Sequence, residues 1–217
     1  MVRKGAAVVE AKEEFSRGLE NVIAARMAAA RVGIEVIGGM EITTKEEVHI
    51  LALFDKHQDD SLLSLQEIVY GSLQGARDSK RAQEQVVASE DDEVMGFNTR
   101  PLVSATRLSV EQTVDLIHSL RGLAVASHID REGFGIIGQL GFIPEGLALD
   151  AVEISANTPC RQAREKIAVP YPFITSSDAH LLDDVGKAYT VFFPLPSVTL
   201  ENIKNCLAGG GRVECFP

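Results

Sequence analysis

From Ile34 onward the chain alternates short apolar runs with segments of helical composition, and that alternation restricts the folds open to it. The runs of strand composition are IEVIGGMEITT, VHILALF, GLAVASHI, DAVEIS, PFITSSDAH and AYTVFFPL, with RVECF near the end. Between them stand SLLSLQEIVYGSLQ (residues 61–74), LSVEQTVDLIHSLRG, RQAREKI and SVTLENIKNCLAGG, which read as helices, and GFGIIGQLGF, a short helix or Gly-rich loop. Ser109 is placed to be an N-cap and Gln112, three residues on, to complete a capping box. Gly122 then ends that helix. VHILALF is nearly continuous in apolar residues, as expected of a strand covered on both faces. Strands and helices at this spacing predict a parallel α/β sheet or barrel, with its chemistry gathered at the carboxyl ends of the strands.

The flanks of this pattern differ. Residues 1–31 are dominated by Ala, Glu, Lys and Arg and read as helix, with Gly33 as its C-cap. Residues 75–101 form a polar excursion rich in acid, expected to hold a hairpin around EDDEVMGFN. With no internal repeat, residues 1–217 are expected to form a single domain. Twenty-one Lys and Arg face 31 Asp and Glu, a formal net charge of −10. That balance disfavours generic duplex DNA binding, which needs cations against phosphates, though not a local basic or metal-charged pocket, and no duplex DNA partner is expected. The longest apolar stretch, Val22 to Ala30, is broken by Arg26 and too short to span a bilayer. The N-terminus has no sustained apolar segment of the signal-peptide kind. Three cysteines, Cys160, Cys206 and Cys215, lack CxxC spacing and their odd number argues against a disulfide framework, so the expected compartment is the cytoplasm and the thiols are expected to be buried.

Three of the five histidines, His49, His128 and His180, fall at strand starts or ends. Asp178 and His180 stand two apart, so in an extended SSDAH both leave the same face and can grip one ion. Glu41 ends its strand in the same manner, after Gly38–Gly39. Imidazoles with carboxylates suit Zn²⁺, Mn²⁺ or Fe²⁺, ions that lower the pKa of bound water and offset charge on a phosphoryl group. Any one histidine is more often a packing or surface residue than a ligand. His57, among Lys56, Gln58, Asp59 and Asp60, reads as solvated, and His118 as a helix-surface or packing residue. The run Asp91–Glu93 lacks the spacing of a calcium loop, Gly209–Gly211 lack a P-loop's Lys-Ser/Thr, and no serine has a G-x-S-x-G context.

GGMEITTKEEVHILALF, GLAVASHIDREGFGIIGQLGFIPEGLALDAVEIS and PFITSSDAH together resemble the PHP (polymerase and histidinol phosphatase) family, most closely its short stand-alone bacterial metal-dependent phosphoesterases. The resemblance implies a distorted (β/α)7 barrel with two or three metal ions at its strand ends. It makes Glu41, His49, His128, Asp178 and His180 metal ligands, with Asp178, His180 and His128 at the catalytic centre. Arg131, in SHIDR, becomes a phosphate contact, since a guanidinium offers paired donors to phosphate oxygens. His49 fits least well, because it starts its strand where a barrel site uses strand ends. The family opens with an H-x-H motif and then a T-D-H-type motif, and neither occurs here, His49 being the first histidine. The barrel is thus expected to be incomplete or rearranged at its N-terminus, short of three imidazoles and a carboxylate, with exposed edges that a helix or a second copy of the chain can cover.

The function expected from these residues is metal-dependent hydrolysis of a phosphate ester through a metal-activated water. The substrate would be a nucleotide, an oligonucleotide end or a small phosphorylated molecule, with no membrane partner and a possible homo-oligomer. Two alternatives stand beside it: an inactive or weak PHP relic serving as a binding or structural domain, and an amidohydrolase-like metal hydrolase.

Overall fold

The computed structural model describes residues 19–74 and 85–216. Residues 1–18, the greater part of the N-terminal helix expectation, lie outside them. The remainder of that expectation holds: α1 spans Leu19–Ala30, and Gly33 closes the following turn at φ +73°, in the left-handed region that glycine occupies without steric cost.

The elements then follow in the order β1 (Gly38–Thr43), β2 (His49–Phe54), α2 (Asp59–Ser72), β3 (Gln85–Ala88), β4 (Val94–Asn98), α3 (Val110–Ser119) and β5 (Leu123–Ala126). After them come α4 (Ile136–Leu140), β6 (Ala151–Ile154), α5 (Cys160–Lys166), β7 (Phe173–Thr175), β8 (Tyr189–Phe193), α6 (Leu200–Asn205) and β9 (Arg212–Phe216). The polar excursion does contain a hairpin, β3 against β4. The α3 N-terminus carries the expected reciprocal cap: the Ser109 hydroxyl accepts from Gln112 N, and the Gln112 side chain accepts from Ser109 N.

The central sheet has five strands in the order β1-β2-β5-β6-β7. It is mixed, where the sequence predicts a parallel one. β5, β6 and β7 are parallel, but β2 runs antiparallel to both β1 and β5. Four strands therefore share a direction and β2 alone is reversed. Only five residues, 44–48, link β1 to β2, too few for a crossover helix, so the link returns as a hairpin. The sheet of the described residues is open, and β8 and β9 form a separate antiparallel pair.

Both faces of the sheet are covered, as the composition of VHILALF implies. Ile50, Ala52 and Phe54 pack with Leu62, Leu65 and Val69 of α2 and Val110, Val114 and Ile117 of α3. Leu51, Leu123, Val125 and Ala151 pack on the opposite side with Leu200 and Ile203 of α6. The alternation follows from the two-residue repeat of side chains along a strand. No helix among the described residues is long and apolar enough to cross a membrane.

Candidate metal centre

The reversed β2 resolves the awkward position of His49. Because β2 runs against its neighbours, its first residue lies beside the carboxyl ends of β1 and β5: His49 pairs with Thr43, and its carbonyl accepts from Ser127 N at 3.1 Å. Glu41 pairs with Leu51, so Glu41 and His49 are diagonal neighbours on one face of the hairpin, within reach of long side chains. His128 arrives from the loop after β5 with φ +28°.

These three residues converge. One ligand atom each from Glu41, His49 and His128 lies within 4.8 Å of the others. His49 Nδ1 is 3.3 Å from Glu41 Oε2, and His128 Nε2 is 3.9 Å from Glu41 Oε1. The two imidazoles meet edge-on at 5.3 Å between centroids, and Phe134 stacks on His49 at 4.4 Å. The Phe134 carbonyl also accepts from the backbone N–H of His49 at 2.9 Å, which ties the start of β2 to the segment that carries the stacked ring.

The donor set fits a divalent cation. His49 Nδ1 is buried and makes no hydrogen bond among the described residues, although a carboxylate oxygen stands 3.3 Å away. Donors about 2.0–2.2 Å from a tetrahedral ion lie about 3.4 Å from one another, close to the separations here. One carboxylate and two imidazoles leave a fourth position for water or substrate.

Asp178 and His180 are placed differently from the sequence expectation. β7 ends at Thr175, and Asp178 sits at φ +46°, so SSDAH is a loop and the same-face argument for the pair is lost. Asp178 is buried and bound by Arg131, with Nη1 2.7 Å from Oδ2. Arg131, expected at a phosphate, is therefore occupied on at least one edge by a carboxylate. His180 is exposed, with Nδ1 2.9 Å from the Asp178 carbonyl oxygen. A carbonyl only accepts, so Nδ1 carries the proton and a neutral ring keeps its lone pair on Nε2. Neither residue joins the three-ligand group.

Sequence reasoning missed the residues that brace the site. Asp130 accepts from Ser155 N at 2.8 Å and from Ser155 Oγ at 2.7 Å. Burial pushes its carboxyl up, but hydrogen bonds from Thr158 and Ser155 outweigh that and hold it below the ordinary value. Glu153, on β6, is 1% exposed. A charged residue inside the buried run AVEI was the available signal.

Residues 158–207 match the PHP-associated family, covering α5 to the end of α6. Among solved structures, the lesion-specific endonuclease Q of Pyrococcus furiosus is 18% identical with a TM-score of 0.59. The match covers 84% of this chain and 41% of that one. The PHP-associated match and the fold likeness to endonuclease Q agree with the PHP resemblance of the sequence. Endonuclease Q in complex with a 27-mer duplex carrying an abasic lesion gives a TM-score of 0.60 at 15% identity, over 91% of this chain and 48% of the other. The chain thus spans less than half the length of either endonuclease Q chain. A phosphoesterase of Bifidobacterium adolescentis, itself only provisionally assigned, matches at 16% identity and a TM-score of 0.49, over 89% of this chain and 83% of that one. No curated protein sequence matches significantly.

The endonuclease Q complex goes against the expectation of no duplex DNA binding. A protein of this fold has been solved with duplex DNA. Net charge averages over the whole surface, whereas binding depends on the local field around the site, where a bound cation alters the balance.

Proposed function

We propose that this chain is a metal-dependent phosphoesterase acting on the phosphate ester of a nucleotide or nucleic acid, duplex DNA included, with Glu41, His49 and His128 holding the ion. The observation that carries the reading is the convergence of these three side chains, with the buried Nδ1 of His49 3.3 Å from a carboxylate oxygen and, among the described residues, without a hydrogen bond. The PHP resemblance and the endonuclease Q likeness support the substrate class. On this reading the sheet corresponds to part of a distorted (β/α)7 barrel.

A divalent ion bound here would acidify water and offset charge developing on the phosphoryl group. The chain's own residues then do the positioning. Glu41 supplies the negative charge that favours a cation, and Phe134 fixes the His49 ring. Arg131, with a side chain 37% exposed, holds Asp178 on one side and presents its remaining N–H groups to phosphate oxygens. Arg131 also lines a cleft of about 410 Å³, together with Ile129, Asp130, Glu132, Gln162 and Lys166, which can take the rest of the ester. Asp178, in the loop after β7, acts through Arg131, whose guanidinium it orients, and His180 in the same loop offers the Nε2 of a neutral ring to substrate.

The test is a substrate panel with zinc or manganese: an aryl phosphomonoester, an aryl phosphodiester, a duplex with an abasic lesion, and an amide. Metal-dependent release from a phosphate ester, lost in Glu41→Gln and Asp178→Ala, is expected. Undiminished turnover in those variants, or turnover of the amide alone, overturns the reading. The Arg131–Asp178 pair favours one second reading, a binding domain whose carboxylate is kept from the ion. Tight metal binding without turnover on any substrate assigns the chain to it.

A further inference from the structure

We propose that Glu153 is a positioning residue that clamps the loops carrying His128 and Asp178, and through them sets the affinity of the site for its ion. The second half of this rests on the metal-centre reading above.

β6 lies between β5 and β7, so its carboxyl end is flanked by the loops leaving both neighbours. Glu153 stands there, 1% exposed, with each carboxylate oxygen assigned to a different loop. Oε2 accepts from the backbone N–H of His128 at 3.3 Å. Oε1 accepts from the hydroxyl of Ser176, two residues before Asp178. Backbone bonds run alongside: Ile129 N donates to the Glu153 carbonyl at 2.8 Å, and Thr175 Oγ1 donates to the Ile154 carbonyl at 2.9 Å.

Both loops need holding. His128 at φ +28° and Asp178 at φ +46° are non-glycine residues in the left-handed region, where Cβ crowds the backbone. Such conformations persist only where the surroundings over-determine them, and they gather at functional sites. An apolar residue at position 153 could be buried at the same place in β6 but would offer neither loop an acceptor. A carboxylate, buried at a cost that its donors offset, links the two strained turns through one side chain.

Two measurements on the full chain test this. The first is hydrogen–deuterium exchange on zinc-free protein, read over residues 127–132 and 175–180, with α3 as the internal control. The second is zinc affinity by competition with a chelating dye. Glu153→Ala should speed exchange in both loops, leave α3 unchanged, and weaken zinc binding about 10–100-fold, the usual effect of losing a partner behind a ligand. Glu153→Gln should largely restore both readouts, since its amide can accept from His128 N and donate to Ser176 Oγ. Ser176→Ala should loosen 175–180 alone. A general loss of packing would instead lower protection everywhere and would not be rescued by glutamine. Unchanged loop exchange in Glu153→Ala, or loosened loops with unaltered zinc affinity, overturns the proposal. Should the alanine variant fail to fold, Ser176→Ala decides: no local change at 175–180 overturns the clamp. A wild-type chain that binds no zinc ends the metal-centre reading and the affinity claim, while the exchange measurement still decides the clamp.

Discussion

Adding zinc should raise the melting temperature of this protein, and Glu41→Gln should remove most of the rise. The Glu41 oxygens lie 3.3 Å from His49 Nδ1 and 3.9 Å from His128 Nε2, near the spacing a tetrahedral ion needs, so binding should require little rearrangement. A ligand that binds only the folded state at a hundred times its Kd adds about 2.7 kcal/mol. In a domain of this size each kcal/mol moves the midpoint by about 2–4 °C, so the expected rise is about 5–11 °C. Replacing the carboxylate by an amide removes the only negative charge of the three donors. If affinity falls a hundredfold at the same free zinc, about 0.4 kcal/mol remains, a rise of about 1–2 °C. Scanning calorimetry of both proteins, with zinc and with a chelator, measures all four midpoints. A wild-type midpoint that zinc does not move, or an equal rise in Glu41→Gln, refutes the assignment of these three side chains to an ion.

Other substitutions test the frame around the site. Arg131→Ala takes the guanidinium partner from the buried Asp178 carboxylate; because the Arg131 side chain is 37% exposed, the expected loss is about 1–2 kcal/mol in urea unfolding, accompanied by a raised KM for phosphate esters. Gly39→Ala would bring a Cβ to 2.6 Å from the Ala52 carbonyl oxygen, forcing β1 from β2 two residues before Glu41. It should cost about 1–3 kcal/mol and weaken zinc binding together, and a variant with wild-type stability would contradict the register described here. The Cys160 thiol is lowered to about 7, chiefly by a hydrogen bond from Cys215 and also by Arg164, against burial, which raises it. Its thiolate fraction therefore rises with pH through about 7 rather than about 8.5, so alkylation by a small reagent, followed by mass spectrometry, should climb between pH 6 and 8. Arg164→Ala should move that climb to higher pH.

Much of this molecule is written locally. The α3 boundary is legible because Ser109 and Gln112 bond to backbone groups three residues away, an interaction contained within the segment. The two-faced burial of β2 is legible because Ile50, Leu51, Ala52, Leu53 and Phe54 leave no polar face. Glu41, His49 and His128 could be nominated as ligands on chemistry and family resemblance, since residue type does not depend on context. Asp178 and His180 rest on the same resemblance, but the added argument that they share one face needs an extended backbone, which the turn at Asp178 removes.

Strand direction is what the sequence by itself left undetermined. An apolar run reads the same in a parallel or an antiparallel strand, because side chains alternate identically in both. Only pairing with distant segments reverses β2, and that reversal carries His49 to the edge where β1 and β5 end. The roles of Glu153 and of the Arg131–Asp178 pair are likewise tertiary. Each joins residues more than 20 positions apart, and which donors surround a buried carboxylate depends on how the sheet assembles, not on the residues beside it in the chain.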